Sequence, residues 1–503
     1  MNEHLEGAGA LPRLSNATVN QFGAAVAVPA YDRSALKTGI VHMSVGGFHR
    51  AHQAVYLDDL FARGSGHDWG VCGVGLLDAD NRMRDALVPQ DCLYTVVERS
   101  EQADRARVIG SMTEYLYAPE NPQRVLDRLA APEIRMITLT ITEGGYFVDQ
   151  VTGGFDDQHP NIRHDLRHPA TPTTGIGYLT EGLNLRRQRG AVACTVLSCD
   201  NLPGNGDVAR KMVLAFAALR EPELAEWISR NIVFPNSMVD RITPATTPED
   251  IAALKDEHGI TDAWPVVCEP FTQWVLEDFF GDGRPPWDQA GVHLVEDVEP
   301  YELMKLRLLN GSHQAMAYLG YLAGHRYTHE VSTDPLFVSF LRRYLAMAAP
   351  TVPEVPGIAL ADYQDQLLER FASPAVRDTL ARLCAEASDR IPKFVLPVIR
   401  EQLRRGGPVE AGALVVAAWA RYSEGTDEDG AAIEVVDRRR DQLAAAAARH
   451  DTDLLAFLAD RELFGDLVDH EAFTTAYTQA LASLRQTGAR DTVQHLVGAD
   501  PDQ

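Results

Sequence analysis

Continuous apolar runs alternate with segments of helical periodicity along the N-terminal part of the chain. Five of these runs are predicted strands: residues 39–45, 70–77, 107–112, 135–142 and 191–198. Helices are predicted at residues 48–63, where apolar side chains recur at helical spacing, and at residues 207–220. Buried strands that alternate with helices are typical of a parallel sheet covered on both faces. The pattern therefore predicts an α/β fold for this part of the chain.

The pattern changes near residue 296, after which strand signals become rare and helical periodicity dominates. Six stretches carry this periodicity: residues 301–323, 335–348, 363–371, 375–387, 412–422 and 437–449. We therefore expect an α/β domain over residues 1–295 and a mainly α-helical domain over residues 296–503. Within the first domain, residues 150–173 are rich in Gly, Asp, His and Pro, and they predict a surface excursion from the sheet.

Composition restricts the partners that the protein can have. The 503 residues include 46 Lys and Arg against 71 Asp and Glu, a formal charge of −25, which argues against nucleic acid or an anionic membrane as partner. The six cysteines form no C-x-x-C pair, so a reducing compartment fits better than a disulfide framework. No stretch has the roughly 18 apolar residues of a membrane span, and the N-terminus does not resemble a signal peptide. We expect a cytoplasmic protein.

The turn after the first predicted strand has features of a dinucleotide site. Gly46 and Gly47 precede a predicted helix, where backbone N–H groups can hold a pyrophosphate and glycines let the phosphate approach. The segment departs from the pattern G-x-G-x-x-G, because Ser44 takes the first position and His49 the third. A strand–helix turn that binds no ligand is the alternative interpretation of this segment alone.

Polar residues also follow three other predicted strands. Asp78 and Asp80 come after the second strand, where a carboxylate would bind ribose hydroxyls and repel a 2′-phosphate. Thr142 and Glu143 close the strand at 135–142, and Asn201 follows the strand at 191–198. Because ligands of open α/β sheets bind outside the carboxyl ends of the strands, these positions are candidates for a site. An ordinary solvated loop for the aspartates and an Asx turn for Asn201 are the alternatives.

The predicted helix at residues 301–323 carries several polar side chains on one face. At 100° per residue, Glu302, Asn310 and His313 fall within about 140° of Lys305, and two leucines share the same arc. Desolvation by those leucines would favour the neutral amine of Lys305, which is the form that a general base needs. The alternative is a lysine that extends to water beside a hydrogen-bonded core histidine.

His164 and His168 are four residues apart with Asp165 between them, a spacing that resembles a zinc hydrolase site. The flanking prolines leave room for barely two helical turns, and Asp is shorter than the usual Glu. We therefore favour a solvated helical turn and expect no metal site here.

Several segments together resemble one family of proteins. They are SVGGFHRAHQAVYLDDL, TLTITEGGY, TVLSCDNLPGNG, FPNSMVDRITP, WPVVCEPFTQWVLED and YELMKLRLLNGSH. The chain is similar over these segments to the mannitol dehydrogenase family of polyol-specific long-chain dehydrogenases, from about residue 30 nearly to the C-terminus. FPNSMVDRITP and the pattern K-x-x-x-x-N-x-x-H are specific to that family.

This resemblance implies a Rossmann-type N-terminal domain and an α-helical C-terminal domain, with the site in the cleft between them. It implies NAD as the cofactor, a polyol or ketose as the small-molecule substrate, and zinc-independent oxidation of D-mannitol to D-fructose. The family contains monomers, so no oligomer is required.

The resemblance also implies roles for individual residues. Lys305 matches the general base, Asn201 and Asn310 match asparagines that hold the reacting oxygen, and His313 matches a substrate-binding histidine. Substrate-region positions match Asp240, Glu302 (near the proton exit), Arg382 and Lys393, with Arg390 as an alternative. Cofactor positions match Ser44, Val45, Gly46, Gly47, Phe48, His49, Arg50, Asp78, Asp80, Thr142 and Glu143.

Two departures from the family pattern affect the cofactor site. Relatives often have Gly at the position of Ser44, and some carry an adjacent Glu-Asp pair where this chain has Asp78, Ala79 and Asp80. Alternative activities are those of another polyol dehydrogenase, for D-arabinitol or D-sorbitol, or of a fructuronate reductase of the same family. A zinc hydrolase and a non-catalytic nucleotide-binding protein are the alternatives from other classes.

Overall fold

The structure is a computed structural model that describes residues 12–23, 26–149, 153–191, 193–375 and 377–498. The chain divides into two compact units, Met1–Val298 and Glu299–Gln503. The boundary predicted at residues 295 and 296 lies close to this division.

The first unit contains eleven strands in its described residues. They are β1 Thr38–Met43, β2 Gly70–Gly75, β3 Tyr94–Glu98, β4 Arg105–Ile109, β5 Met112–Tyr117, β6 Met136–Leu139, β7 Thr195–Ser198, β8 Ser237–Asp240, β9 Val266–Cys268, β10 Gln273–Glu277 and β11 His293–Val295. Five of them form a parallel sheet in the order β5-β2-β1-β6-β7. This order places the first strand centrally and reverses direction between β1 and β6, as in Rossmann-type folds. The predicted α/β fold with a parallel sheet is confirmed.

Two smaller sheets complete this unit, with the orders β11-β10-β8 and β4-β3-β9. Both contain an antiparallel pair, β8 with β10 and β3 with β4. The predicted strand at residues 107–112 is wrong, because that run spans the end of β4 and the start of β5, which lie in different sheets. An apolar run marks burial, but it does not show where the backbone changes its pairing partner.

Nine α-helices are described in the first unit: α1 Gly47–Ala51, α2 Gln53–Ala62, α3 Asn81–Leu87, α4 Pro122–Leu129, α5 Pro160–Arg167, α6 Gly175–Arg189, α7 Asn205–Arg220, α8 Pro222–Asn231 and α9 Pro248–His258. The single helix predicted at residues 48–63 is two helices, because His52 has a non-helical backbone (φ −124°, ψ −88°). Its ring Nε2 lies 2.9 Å from the carbonyl oxygen of Gln273. The predicted surface excursion at residues 150–173 contains helix α5, and its first residues, 150–152, lie outside the described residues.

Apolar side chains cover both faces of the parallel sheet. Alternate residues of β1 point to opposite faces, so Ile40 packs in one hydrophobic cluster while Val41 and Met43 pack in another. The first cluster includes side chains of α2 together with Trp274 and Trp287. The second includes residues of α4, α6, α7 and α8. Burial on both faces accounts for the continuous apolar runs in the sequence.

The described part of the second unit contains helices and no strand. Its helices are α10 Glu299–Met304, α11 Gly311–Leu322, α12 Thr328–Thr333, α13 Pro335–Ala348, α14 Leu360–Ala372, α15 Leu380–Cys384, α16 Ala387–Phe394, α17 Leu396–Arg405, α18 Glu410–Tyr422, α19 Arg440–Ala447, α20 Arg461–Phe464 and α21 Glu471–Gly498. A π-helical segment, Lys305–Asn310, joins α10 to α11. The predicted helical character is confirmed, although the helix expected at residues 375–387 is reduced to α15 between 379 and 385.

Helix α11 lies centrally in this unit and packs against α13, α15 and α18, and α18 packs along α21. All six cysteines of the chain are buried free thiols. None of the described helices is both long enough and apolar enough to cross a membrane.

Candidate active site

The turn after β1 is held in an unusual backbone conformation. Ser44 has a φ of 71°, a region that favours glycine. Its N–H donates to the carbonyl oxygen of Val74, and its own carbonyl oxygen accepts a hydrogen bond of 2.8 Å from the hydroxyl of Thr140. These bonds to β2 and to the segment after β6 hold the turn in the shape that a glycine would adopt unaided.

The two glycines of this turn are not required by protein packing. A Cβ built on Gly46 would meet no atom within 4 Å, and one built on Gly47 would meet only Thr243 at an ordinary 3.7 Å. By contrast, a Cβ on Gly73 in the neighbouring strand would lie 2.7 Å from Val45. The open space beside Gly46 therefore fits a cofactor that approaches the backbone closely, as a dinucleotide pyrophosphate does.

His49 and Arg50 follow the glycines in α1, and both side chains are 1% exposed. The ring of His49 stacks on that of His42 with centroids 3.5 Å apart, and burial lowers the pKa of both histidines. The guanidinium of Arg50 lies over the ring of Tyr94 and donates to the carbonyl oxygen of Trp264. These two side chains face the protein interior, so a ligand at this turn would meet their backbone rather than their side chains.

The two aspartates after β2 have different environments. The carboxylate of Asp80 accepts hydrogen bonds from the backbone N–H groups of Leu76 (2.7 Å) and Leu77 (2.8 Å). Asp78 is exposed, and its carboxylate forms no hydrogen bond or ion pair within the described residues. Its carbonyl oxygen accepts a bond from the hydroxyl of Tyr117. Asp80 therefore holds the turn, whereas Asp78 is available to a ligand.

The ends of β6 and β7 are joined by a buried carboxylate. Asp200 follows β7, is 7% exposed, and accepts bonds from the N–H groups of Ile141 (3.1 Å) and Thr142 (2.8 Å) after β6. The hydroxyl of Tyr146 donates to it at 2.6 Å and also lies 2.7 Å from the hydroxyl of Ser198. Burial raises the pKa of Asp200 to about 6, although its hydrogen bonds act in the opposite direction.

Thr142 and Asn201, two residues named from the sequence, flank this carboxylate. Thr142 has a positive φ of 61°, and Asn201 follows Asp200 directly in the chain. Glu143 begins a short 3₁₀ turn, and both Glu143 and Thr142 are exposed. The structure thus brings the segments after β6 and β7 together at the carboxyl edge of the sheet.

The VDR motif at the end of β8 supplies one further candidate and one anchor. Asp240 ends the strand and is 6% exposed. The next residue, Arg241, is buried and donates to the carbonyl oxygens of Ala51 (2.7 Å) and Glu269 (3.0 Å), and it forms an ion pair of 2.6 Å with Glu98. Arg241 ties the end of β8 to the end of α1. No role for Arg241 was predicted from the sequence, because arginine is seldom fully buried unless it is paired.

In the second unit, the lysine named from the sequence lies at the start of the π-helical segment. Lys305 is 8% exposed, and Asn310 ends the segment, where the N–H of Gly311 donates to the carbonyl oxygen of Leu306 five residues earlier. The amide oxygen of Asn310 is buried and has no hydrogen-bond partner within the described residues. A buried amide atom of this kind is expected to bond a ligand or water. Helix α16 packs on this segment.

Glu302 and His313 lie on the same continuous helical stretch, before and after the π-helical segment. Each is 9% exposed, and the ring of His313 packs against that of Phe371 with centroids 4.6 Å apart. The 100° rotation used in the sequence analysis does not hold across the segment, because a π turn closes on the fifth residue. Four polar side chains nevertheless share this one buried stretch.

The basic residues of α15 and α16 have partners close to them in the chain. Arg382 makes two bonds of 2.6 and 2.5 Å to Asp378, and Lys393 lies 2.8 Å from Asp389. Arg390 donates to the carbonyl oxygens of residues 382 and 383. These pairs hold the charged groups, and a substrate that used them would share them with a carboxylate.

Asp165, between His164 and His168, has a structural role in this fold. Asp165 is 1% exposed and accepts bonds from the N–H and hydroxyl groups of Thr173 and Thr174. His164 contacts the same carboxylate at 3.0 Å. In the described part of the chain, no group of three or more His, Cys, Asp or Glu residues is arranged to hold a metal ion. The carboxylate closes the loop between α5 and α6 rather than facing a ligand.

The two units together show which class of protein this chain belongs to. The first unit is a Rossmann-type domain with an open glycine turn, and the second is a helical unit with a buried lysine, a half-buried asparagine and a buried histidine on one stretch of helix. The model for the mannitol dehydrogenase Rossmann domain matches residues 38–289, and the model for the mannitol dehydrogenase C-terminal domain matches residues 297–485. The chain belongs to the mannitol dehydrogenase family.

Individual relatives are similar over nearly the whole chain. A mannitol 2-dehydrogenase of Aspergillus fumigatus is 46% identical over 479 residues, 94% of this chain and 95% of the relative. The solved structure of Pseudomonas fluorescens mannitol 2-dehydrogenase, a ternary complex with NAD and D-mannitol, is 46% identical with a TM-score of 0.88 and covers 97% of this chain and 100% of its own. The solved structure of a substrate-free D-sorbitol dehydrogenase is 35% identical with a TM-score of 0.87, and the match covers 95% of this chain and 100% of that one.

The backbone of Ser44 generates a prediction about stability. A glycine at position 44 would remove the steric cost of the left-handed conformation, which stabilises the folded state by about 1–2 kcal/mol. The greater freedom of glycine in the unfolded chain lowers that gain by about 0.5–1 kcal/mol. We expect Ser44→Gly to raise the free energy of unfolding modestly, measured by urea unfolding. Ser229→Gly, in α8 and exposed, is the matched control and should lower it. A destabilised Ser44→Gly variant would show that the serine side chain stabilises the turn.

Proposed function

We propose that this protein catalyses the NAD-dependent oxidation of D-mannitol to D-fructose and the reverse reduction. The observation that carries the proposal is the set of buried Lys305 and His313 with the half-buried Asn310 on one helical stretch, in a chain 46% identical to a protein solved with NAD and D-mannitol. A lysine base supported by amide donors fits an alcohol–ketone interconversion.

The first unit would hold the cofactor, which supplies the hydride acceptor when it is bound. The open turn at Gly46 and Gly47 offers backbone N–H groups to the pyrophosphate. Asp78, exposed after β2, would accept bonds from the ribose hydroxyls. Thr142 and Glu143 lie after β6, beside the point where the strand order reverses. The other residues of the turn would contribute their backbone, because His49 and Arg50 are buried.

The residues of the proposed site divide the chemistry among them. Lys305, as the neutral amine, accepts the proton of the substrate hydroxyl, and in the reverse direction the ammonium polarises the ketone. Asn201 and Asn310 donate amide N–H bonds to the oxygen as negative charge develops on it. His313, fixed against Phe371, bonds a neighbouring hydroxyl and so selects the carbon that reacts.

Other residues named from the sequence would act at the edges of the site. Glu302 is one helical turn before Lys305, where a carboxylate can relay the proton of the base. Asp240 would bond substrate hydroxyls. Arg382 and Lys393 would contact the substrate only while keeping their carboxylate partners, Asp378 and Asp389.

This pairing favours a neutral polyol over a hexuronate. At Arg382 and Lys393 a uronate carboxylate would have to compete with the aspartate that each cation already holds. Arg390 bonds carbonyl oxygens instead, so it is the residue that would serve a uronate. D-Sorbitol and D-arabinitol are the alternative substrates, and the likeness to a D-sorbitol dehydrogenase supports testing them. Six buried free thiols fit a reducing compartment, so we propose that the reaction takes place in the cytoplasm. No oligomer is required by the family resemblance.

The first test is a substrate panel. D-Mannitol and D-fructose should give the highest kcat/KM, with D-sorbitol and D-arabinitol slower, because a site built to bond hydroxyls discriminates against a substrate that presents them wrongly. The measurement is absorbance of the reduced nicotinamide, with NAD and NADP in parallel. Turnover of hexuronates alone would replace this function with that of a fructuronate reductase. Dialysis against a chelator should leave the rates unchanged, whereas a loss restored by zinc would contradict the role of Lys305.

The second test removes the proposed base. Lys305→Ala should lower kcat for mannitol oxidation by about 10²–10⁴-fold, the usual contribution of general acid–base catalysis. In the parent enzyme, oxidation should accelerate as pH rises through one deprotonation, and that dependence should vanish in the variant. Binding of NADH, followed by fluorescence, should persist because the cofactor residues lie in the other unit.

Lys255→Ala is the matched control for this experiment, since Lys255 is an exposed lysine of α9 outside the proposed site. It should leave kcat and the pH profile unchanged. A Lys305→Ala enzyme that folds and retains mannitol oxidation within about threefold of the parent, less than 1 kcal/mol of barrier, would remove Lys305 from the mechanism.

The third test separates the two aspartates after β2. Asp78→Asn should raise the ratio of kcat/KM for NADP over NAD by about tenfold, equivalent to ~1.4 kcal/mol, because the charge that repels a 2′-phosphate is lost. Asp80→Asn should leave that ratio nearly unchanged and instead lower the free energy of unfolding by about 1–3 kcal/mol, because two backbone N–H groups exchange a charged acceptor for a neutral amide oxygen. The opposite assignment of these two effects would contradict the geometry described above.

A further inference from the structure

Asp200 has more constraints on it than a turn residue requires. Its carboxylate accepts three hydrogen bonds, from two backbone N–H groups after β6 and from the hydroxyl of Tyr146. Its carbonyl oxygen accepts a 2.9 Å bond from the amide of Asn205, which also donates to the carbonyl oxygen of Ser237 at 2.8 Å. Asp200 therefore connects the ends of β6 and β7 to the start of α7, and Asn205 extends these bonds to the start of β8.

One of the groups that Asp200 holds is a strained residue. Thr142 has φ 61° and ψ 168°, a region that is essentially restricted to glycine and costs about 1–3 kcal/mol for other residues. A β-branched side chain makes this conformation still less favourable. The 2.8 Å bond from the N–H of Thr142 to Asp200 opposes the relaxation of this strain. Strain held by a buried carboxylate beside a site is a sign of preorganisation.

We propose that Asp200 is the positioning residue of the active site, and that its ionised carboxylate fixes Asn201 and the Thr142–Glu143 segment relative to one another. The proposal rests on the proposed function, because it gives Asn201 its role at the reacting oxygen. Asp200 itself touches neither substrate nor cofactor in this scheme. It acts through the two segments that it joins.

Protonation of Asp200 should loosen this arrangement. Hydrogen bonds to an ionised acceptor are roughly twice as strong as those to a neutral one. A carboxylic acid would therefore hold the N–H groups of Ile141 and Thr142 less firmly, even if the Tyr146 hydroxyl turned toward Ser198 to accept the new proton. Burial raises the pKa of Asp200 to about 6, so the ionised form predominates above that pH.

The direction in which protonation of Asp200 changes the stability of the fold distinguishes a loss of positioning from unfolding. A carboxyl group whose pKa is higher in the folded than in the unfolded state favours the folded state more as pH falls through that range. Protonation of Asp200 therefore does not itself destabilise the fold. A loss of activity caused by protonation of Asp200 must therefore come from a change in the geometry of the site and not from unfolding.

Three ionisable groups act on Asp200 from the surrounding segments: Glu143, Tyr146 and Cys199. Burial raises the pKa of the Tyr146 hydroxyl and the Cys199 thiol well above their ordinary values, so both are neutral near pH 6. Glu143 is the other carboxylate, and its charge acts to raise the pKa of Asp200. The experiment must therefore distinguish Asp200 from Glu143.

Fructose reduction with NADH, measured between pH 5 and pH 8, isolates the effect of Asp200 protonation on kcat. Reduction uses the protonated form of Lys305, so lower pH does not deplete it. We expect kcat to fall below about pH 6 in the parent enzyme through a single protonation. Asp200→Asn should lower kcat about 10²-fold at pH 7, leave KM within about threefold, and abolish the acid limb, because an amide does not titrate.

Tyr146→Phe is the second variant, and it keeps the test informative if Asp200→Asn does not fold. It removes a donor that stabilises the carboxylate, so the acid limb should move to higher pH. Tyr178→Phe is the matched control: Tyr178 is a buried tyrosine of the same hydrophobic cluster that forms no hydrogen bond to Asp200. It should leave the limb in place.

Either of two results on the acid limb would overturn the proposal: a limb that Tyr146→Phe does not move, or one that Glu143→Gln abolishes, which would assign it to Glu143. Unchanged kcat in Asp200→Asn would do the same. Failure of the parent enzyme to reduce fructose or any other ketose at any pH would instead contradict the proposed function.

Discussion

Parallel strands place every loop that follows them at the same edge of the sheet, and the candidate site of the first unit depends on this constraint. The turn at Ser44 follows β1, Asp78 follows β2, Thr142 follows β6 and Asn201 follows β7. These residues are far apart in the sequence, yet none needs a long side chain to reach the shared edge. The direction of the sheet brings them together before any specific contact forms.

The direction of the strands does not by itself fix the conformation of the loops. Buried polar side chains hold the loops in place. Asp80, Thr140 and Asp200 each bond to backbone groups of a loop that follows a strand. Such residues look like ligand-binding residues in a sequence, because they have the same chemistry at the same positions. Counting their backbone bonds separates the two roles: Asp80 is occupied by two N–H groups, whereas Asp78 is not. The neighbouring aspartates of one loop thus have different physical roles.

The sequence predicted the parts of the fold that depend on local pattern. The apolar runs at β1, β2, β6 and β7 were sufficient for the parallel sheet, because strands buried on both faces are apolar throughout. The strands β8–β11 were not predicted, because the apolar segments around them are shorter than the eight-residue runs that contain β6 and β7.

The candidate site could be predicted as a set of residues but not as a set of orientations. The turn at Gly46 and Gly47 was recognised from its glycines, yet nothing local shows that the side chains of His49 and Arg50 turn inward. Their direction is decided by partners distant in the sequence, such as Tyr94 and Trp264. The same holds for Arg241, whose three partners lie in three other segments.

The π-helical segment at Lys305 shows where a helical wheel stops being a guide. The wheel assumes a constant rotation per residue, and that assumption holds between Glu302 and Lys305 because both precede the segment or begin it. It fails between Lys305 and Asn310, since the wider turn inserts an extra residue into the hydrogen-bond ring. Wide turns are less favourable than α-helical ones and persist where tertiary contacts offset the difference. Here helix α16 packs on the segment, and the wider turn changes the direction in which Asn310 and His313 project relative to Lys305. A regular α-helix with the same sequence would carry the same four polar residues in a different relative arrangement.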